Sequence, residues 1–366
     1  MKFSAEQLLR AMAPIDIVID AFLEEEKVSQ NYDNNAQGRF ATLIASSKDV
    51  GASGIDNISV LSDSESEAID WDGMAFFPSD KYVQKLVMRY ATRLDIAGKE
   101  LEDDNLASLV CHFSMSRISN IPDPNDCCIL TYQVPGSMQE GDSDLVRVKK
   151  NEELLRIRVY PHHNDVGVAK VWEAGACLAE YILQNPIRDR RVIELGAGVG
   201  LTGLVAAAVR AKSVHMTDYT ESTLDNLSCN VSINSKWLEG RGVDPQSISV
   251  GKLEWGDGSA ECDCCLKSAD LLIAADVVYA RDVLPDLVTT VRKFLSSGSS
   301  SSPNDKVALF ATTHRNRQTF ERFEQELERK GIICQYKSHT TMECVFPCYF
   351  NQPRSDVRIC TMRLSE

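Results

Sequence analysis

Three carboxylates and a run of glycines stand where apolar segments of this chain end. In Val192-Ile-Glu-Leu-Gly-Ala-Gly-Val-Gly-Leu-Thr-Gly203, Glu194 closes an apolar run, and Gly196, Gly198 and Gly200 follow at alternate positions. Glycines there let the backbone turn tightly and approach a ligand closely, while the helix that starts next aims free N–H groups into the same space. A carboxylate on a buried strand is costly unless it is paired. Asp218 falls 22 residues after Gly196, where the next apolar run ends. A carboxylate there accepts bonds from both hydroxyls of a ribose, or caps the following helix. Trp255 follows a third run, where an indole walls in an adenine ring or fills core, and Asp276-Val-Val-Tyr279 ends a fourth.

The glycine phase separates two classes of nucleoside. A dinucleotide fingerprint, G-x-G-x-x-G, requires its third glycine at position 201, which is Leu201. Glycines at 196, 198 and 200 give G-x-G-x-G instead, the phase usual for S-adenosylmethionine (AdoMet). Its α-ammonium would meet the need of Glu194, directly or through water. Asp276 and Tyr279 would then lie over the sulfonium end, on the substrate side. Rival chemistries find no support: no Ser/Tyr/Lys or His/Asp set suits hydride transfer, no Gly-rich loop followed by Lys forms a P-loop, and no G-x-S-x-G elbow is present. Of six dispersed histidines, His314 alone falls near the expected cleft.

The elements that position these residues alternate β and α from Trp172 onward. The pattern predicts a helix over 173–184, strand 191–195, helix 201–209, strand 213–217, a helix through 223–233 and strand 248–253. Strand 271–275, helix 282–295, strand 307–312, helix 317–330 and final strands around 332–336 and 356–363 complete it. The sum is about seven mostly parallel strands with an antiparallel edge hairpin and helices on both faces, a Rossmann-like α/β fold. Short strands at 128–134 and 154–160 precede it. Earlier still, Leu8, Leu9, Ile15, Ile17, Val18 and Phe22, then Tyr82, Leu86, Tyr90 and Leu94, form helical apolar stripes that predict an N-terminal helical module. The expected division is 1–125 for that module, with an acidic linker at about 50–75, and 126–366 for the α/β domain with a leading hairpin.

A formal net charge of −14 over 366 residues argues against a nucleic-acid substrate. No apolar run reaches the length of a membrane span, and the N-terminus does not read as a secretory signal. Twelve cysteines scattered through apparent strands and helices suit reduced thiols in the cytoplasm. Cys262, Cys264 and Cys265, and the pair Cys344 and Cys348, lack zinc spacing, so no metal is expected. A monomer is the expected state.

On Val171-Trp-Glu-Ala-Gly175, the ELGAGVGLTGL run, Asp218-Tyr-Thr with Asn226 and Asn230, and Asp276-Val-Val-Tyr279, the chain resembles the seven-β-strand class I protein-lysine methyltransferases. The resemblance covers about residues 155–366. Within that group it is most similar to the family acting on eukaryotic elongation factor 2, through Trp71 to Leu94 and through Phe346-Pro-Cys-Tyr-Phe350 to Met362. The resemblance implies AdoMet as cofactor and a protein lysine, in elongation factor 2, as substrate. It implies Trp172 over the methionine part, Glu194, Gly196 and Gly198 lining the cleft, Asp218 on the ribose, Trp255 at the adenine, backbone groups of Ala275 toward the cofactor, and Asp276 and Tyr279 beside the incoming lysine. Another protein lysine or histidine, and a non-catalytic adaptor built on the same fold, are the alternatives.

Overall fold

The computed structural model describes residues 5–10, 18–23, 36–47, 80–115, 124–135, 154–297, 306–337, 345–346 and 356–365. The acidic stretch, the serine-rich run beyond Ser297, Tyr349 and Phe350 lie outside them. Two compact units are present: residues 1–133 with 154–162, and residues 134–153 with 163–366.

The first unit holds helices α1 (Ala5–Arg10), α2 (18–23), α3 (Ala36–Ser47), α4 (Asp80–Ile96) and α5 (Asp104–Met115), with strands β1 (Cys128–Gln133) and β2 (Leu154–Val159). Leu8, Leu9, Val18, Phe22, Leu86, Tyr90 and Leu94 are all buried in one cluster, as their helical spacing requires. At its centre Phe40 stacks on Tyr90 at 3.8 Å, and Phe22 meets both rings edge-on. β1 and β2 pair antiparallel from Cys128↔Val159 to Gln133↔Leu154. This hairpin falls in the first unit, whereas the sequence reading grouped it with residues 126–366.

The second unit contains α6 (Val166–Ala169), α7 (Glu173–Gln184), β3 (Arg191–Leu195), α8 (Leu201–Ala208), β4 (Ser213–Asp218), α9 (Glu221–Ile233), α10 (Ser235–Gly240) and β5 (Ile248–Lys252). There follow α11 (Ala260–Ser268), β6 (Leu271–Ala275), α12 (Leu284–Ser296), β7 (Val307–Thr313), α13 (Arg317–Arg329), β8 (Ile332–Lys337) and β9 (Val357–Leu364). The strands form one seven-stranded sheet in the order β5-β4-β3-β6-β7-β9-β8. β5, β4, β3, β6 and β7 are parallel neighbours, and β9 pairs antiparallel with both β7 and β8. The last strand therefore enters between β7 and β8, leaving β8 outermost.

Side chains alternate across the sheet. Ile193 and Leu195 join Leu272, Ala274, Phe310, Val291, Phe294 and Phe323 in the core beneath α11, α12 and α13. Glu194 points the other way, against Gly203 of α8. On that side α7 packs along α8, and Thr202 Oγ1 donates to the Gly175 carbonyl. Fully buried Glu180 of α7 accepts the backbone N–H groups of Val345 and Phe346 at 2.7 and 2.8 Å. Phe346, with no exposure, is thus core. Because the parallel strands all end at one edge, β3, β4 and β6 deliver Glu194, Asp218 and Asp276 to it together.

Candidate functional site

The turn after β3 runs through Gly196, Gly198 and Gly200 with φ of 62°, 55° and 84°. All three lie in the left-handed region that disfavours residues with a Cβ, which is the backbone reason for the alternate glycines. Gly196 also sits so close to its neighbours that a Cβ would stand 2.9 Å from Val277 and 3.3 Å from the Trp255 indole. Gly198 N–H donates to Asp218 Oδ2 at 3.0 Å, tying the glycine turn to the end of β4. Asp218 Oδ1 accepts the Tyr219 N–H at 2.8 Å. Burial raises the Asp218 pKa, and the Gly198 N–H works against that shift.

Glu194 is fully buried, and among the described residues its Oε2 has no hydrogen-bond partner. Desolvation pushes its pKa up to about 8, against the amide of Gly203, and the Asp218 charge adds to the rise. The carboxyl is therefore largely neutral near pH 7. Since the folded value lies above the unfolded one, the folded state holds a proton that the unfolded state has released. Stability from this group is full below about pH 4.5 and falls as pH rises to about 8. Glu194→Gln is expected to flatten that slope, worth at most about 5 kcal/mol, in urea titrations from pH 5 to pH 8.5. An identical slope in the variant would contradict the assignment.

Trp172 caps the start of α7, and its Nε1 donates to the Val166 carbonyl at 3.2 Å. Two cations lie over this indole, Lys170 Nζ at 4.2 Å and the Arg315 guanidinium at 5.1 Å from its centroid. Burial first, and then Arg315, lower the Lys170 pKa, while Asp276 opposes. Arg315 joins Trp172 to Asp276 through Nη2–Oδ2 and Nη1–Oδ1 contacts of 2.9 and 3.3 Å. Asp276 also accepts the Thr313 N–H at 3.0 Å and the Thr313 hydroxyl at 3.1 Å, with only 5% of its side chain exposed. Its φ of 54° is a left-handed conformation, strain that an aspartate keeps only where its surroundings demand it.

Tyr279 behaves differently from Asp276. Its side chain is 55% exposed and meets Trp255 edge-on at 6.5 Å. Its pKa is raised by burial first and then by Tyr219, Asp218 and Asp165, so the phenol stays protonated and able to donate. Ala275 closes β6, and its Cβ lies 3.9 Å from where a Gly175 Cβ would be. His314 packs its ring edge-on against Phe320 at 4.9 Å.

The nine residues singled out in the sequence therefore form two connected groups on one sheet edge. Gly196, Trp255, Tyr279, Gly198, Asp218 and Glu194 make one, and Trp172, Ala275 and Asp276 the other. Sequence reasoning did not single out Asp165, Lys170, Thr313 and Arg315. Asp165 begins an Asp-x-Gly turn, a local signal available to a closer reading. Thr313 and Arg315 reach Asp276 across 37 and 39 residues of chain, and no local pattern carries that. Cys262, Cys264 and Cys265 lie on α11, where Cys262 is core. Among the described residues no helix is long and apolar enough to cross a membrane.

The chemistry of AdoMet suits this edge: among the described residues Glu194 has a buried oxygen in want of a donor, and the glycine turn admits no side chain at 196. A family model described as lysine methyltransferase matches residues 149–330. The protein-lysine N-methyltransferase EEF2KMT of Mus musculus is 33% identical over 176 residues, covering 46% of this chain and 51% of that protein. The chain thus spans about half the length of that relative. The protein-lysine N-methyltransferase EFM3 of Chaetomium thermophilum is 24% identical over 268 residues, covering 70% of this chain and 74% of its own. The protein N-lysine methyltransferase METTL21A of Danio rerio is 35% identical over 182 residues, which are 49% of this chain and 75% of that protein. With the glycine turn and three carboxylates at one sheet edge, likeness at 35% identity over three quarters of a relative shows that this chain belongs to the lysine methyltransferase family.

Proposed function

We propose that this protein transfers methyl groups from AdoMet to the ε-amine of a lysine in a protein, and that the substrate is elongation factor 2. The observation that carries the reaction is the meeting of the glycine turn, Glu194 and Asp218 at the sheet edge that also bears Asp276 and Tyr279. The substrate reading is supported by the resemblance of 71–94 and 346–362 to the elongation factor 2 methyltransferases. The negative net charge favours a protein partner over nucleic acid. The protein works in the cytoplasm as a monomer.

When bound, AdoMet supplies a methyl activated by its sulfonium, and the protein supplies binding and orientation. Trp172 would flank the methionine part, with Glu194 meeting its ammonium. Gly196, Gly198 and the Ala275 backbone would line the cleft, Asp218 would hold the ribose, and Trp255 would wall the adenine. The remaining work concerns the amine. Presenting a neutral lysine at pH 7.4 costs about 4 kcal/mol, and a partly desolvated slot lowers that cost by disfavouring the ammonium. Asp276 aligns the amine first and takes its proton through water second, since a carboxylate also stabilises the charged form. Arg315 offsets that drawback by drawing off part of the Asp276 charge. Tyr279, a neutral phenol, narrows the slot and hydrogen-bonds the amine.

Adding tritiated AdoMet and the purified protein to a cell lysate tests the substrate. Label in a single band at elongation factor 2 is the expected result. A labelled band elsewhere moves the substrate to another protein. Binding of the factor without any labelling turns the reading into an adaptor.

A further inference from the structure

Asp165 stands outside the residues assigned above, yet its carboxylate accepts four hydrogen bonds from four different residues. It accepts the Gly167 N–H at 2.9 Å, the Thr220 hydroxyl at 2.5 Å, the Ser222 hydroxyl at 2.6 Å and the Thr223 hydroxyl at 3.1 Å. Burial pushes its pKa up, but the Ser222, Thr220, Gly167 and Thr223 donors outweigh that and hold it below the usual carboxylate range.

These partners belong to different parts of the cleft. Thr220 caps α9 and Ser222 and Thr223 lie in its first turn, just after Asp218, while Gly167 lies in the short helix α6 ahead of Trp172. The Gly167 carbonyl lies 3.2 Å from where a Gly198 Cβ would stand, so this turn sits on the glycine loop. The Val166 carbonyl holds the Trp172 indole at 3.2 Å. The packing is tight enough that a Cβ at Gly167 would fall 2.6 Å from Thr223 Oγ1. One carboxylate thus joins three walls of the site: the Trp172 segment, the glycine turn and the end of β4.

We infer that Asp165 is a positioning residue that clasps the turn 165–169 across the cleft and sets how long AdoMet stays bound. The inference rests on the AdoMet reading above. In substance, Asp165 touches no reacting atom; it holds Trp172 and the 167 backbone against the Asp218 side. Loss of the carboxylate lets the turn swing away from the β4–α9 junction, which opens the exit without altering the slot at Asp276.

The test uses the full chain, with calorimetry of S-adenosylhomocysteine binding and filter-binding release of tritiated AdoMet. Asp165→Ala is expected to raise the dissociation constant about tenfold, as when the closed turn falls to a tenth of the population. The rise is expected in the release rate, with turnover at saturating AdoMet near the parent value and KM for AdoMet increased. Asp165→Asn, which keeps an acceptor for Gly167, falls between. Asp244→Ala, which deletes a comparable turn to Gln246 N–H outside the cleft, leaves the affinity unchanged. A lower melting temperature with unchanged affinity and release in Asp165→Ala would make Asp165 an ordinary turn stabiliser and overturn the inference. If that variant fails to fold, Ser222→Ala decides by the same readouts, a faster release supporting the clasp and an unchanged one refuting it. A parent protein that binds neither ligand removes the AdoMet reading and the clasp with it.

Discussion

Asp218→Ala is expected to weaken S-adenosylhomocysteine binding by about a hundredfold while the protein stays folded. Two hydrogen bonds from ribose hydroxyls to a carboxylate are worth about 3 kcal/mol together at the low end for charged acceptors. The residue is buried at the end of β4, and each of its oxygens already accepts one backbone N–H, from Gly198 and Tyr219. Each carboxylate oxygen has a second lone pair to offer. Removing the side chain would therefore delete the proposed ribose acceptors and the Gly198 contact of the glycine turn in one step. Asp218→Asn separates the two effects: its remaining oxygen keeps the Gly198 contact, so its loss reports mainly on the ribose. Calorimetry gives the constants and circular dichroism the fold. An unchanged constant in Asp218→Ala would remove Asp218 from the cofactor site.

The second large effect is expected at Asp276. Asp276→Ala is predicted to lower methyl transfer by about two orders of magnitude or more, the scale of a misplaced reacting group. Cofactor affinity should stay near that of the parent. The structure adds a contrast that the motif alone does not supply, because Asp276 is held by Thr313 and Arg315. If its carboxylate faces the amine, Arg315→Ala should cost less than Asp276→Ala, since both Thr313 contacts survive and still fix the carboxylate. If Asp276 serves only to hold Arg315 on Trp172, the two variants should be equally impaired. We expect the first outcome. Parallel loss of turnover and cofactor binding in Asp276→Ala would place the residue in the cofactor site instead. The left-handed backbone at 276 requires that each variant be checked for a native melting profile.

Much of the α/β unit is legible in the residues because its strands are short apolar runs punctuated by acids and glycines. Strands 191–195 and 271–275 and helix 173–184 coincide with the observed elements, and the other predicted boundaries in this unit differ by a few residues. The pattern fails where periodicity is weak. α10 follows α9 with only Asn234 between them and reads as a continuation or a loop. α11 presents Cys262 and Leu266 as its buried positions, so Ala-Glu-Cys-Asp-Cys-Cys-Leu-Lys-Ser reads as a cysteine cluster before it reads as a helix. The grouping of β1 and β2 is set by tertiary packing, to which a local pattern is blind.

The candidate site divides in the same way. Its glycines are legible because three left-handed backbone positions leave little choice of residue. Glu194 is legible as a carboxylate at the end of a buried strand, but its neutral character near pH 7 follows from full burial, helped by the Asp218 charge and opposed by the Gly203 amide. The clamp on Asp276 and the four-donor hub at Asp165 arise from strands and turns brought together only by the sheet order. On the reading proposed above, those contacts would set how tightly AdoMet is held and how an amine is presented.

The central claim is methyl transfer to a lysine of elongation factor 2, and site-resolved mass spectrometry of that factor after incubation with the protein and AdoMet tests it most directly. The account predicts methyl increments confined to a lysine, dependent on AdoMet and lost with Asp276→Ala. A protein that binds S-adenosylhomocysteine yet leaves every lysine of the factor unmodified would contradict it.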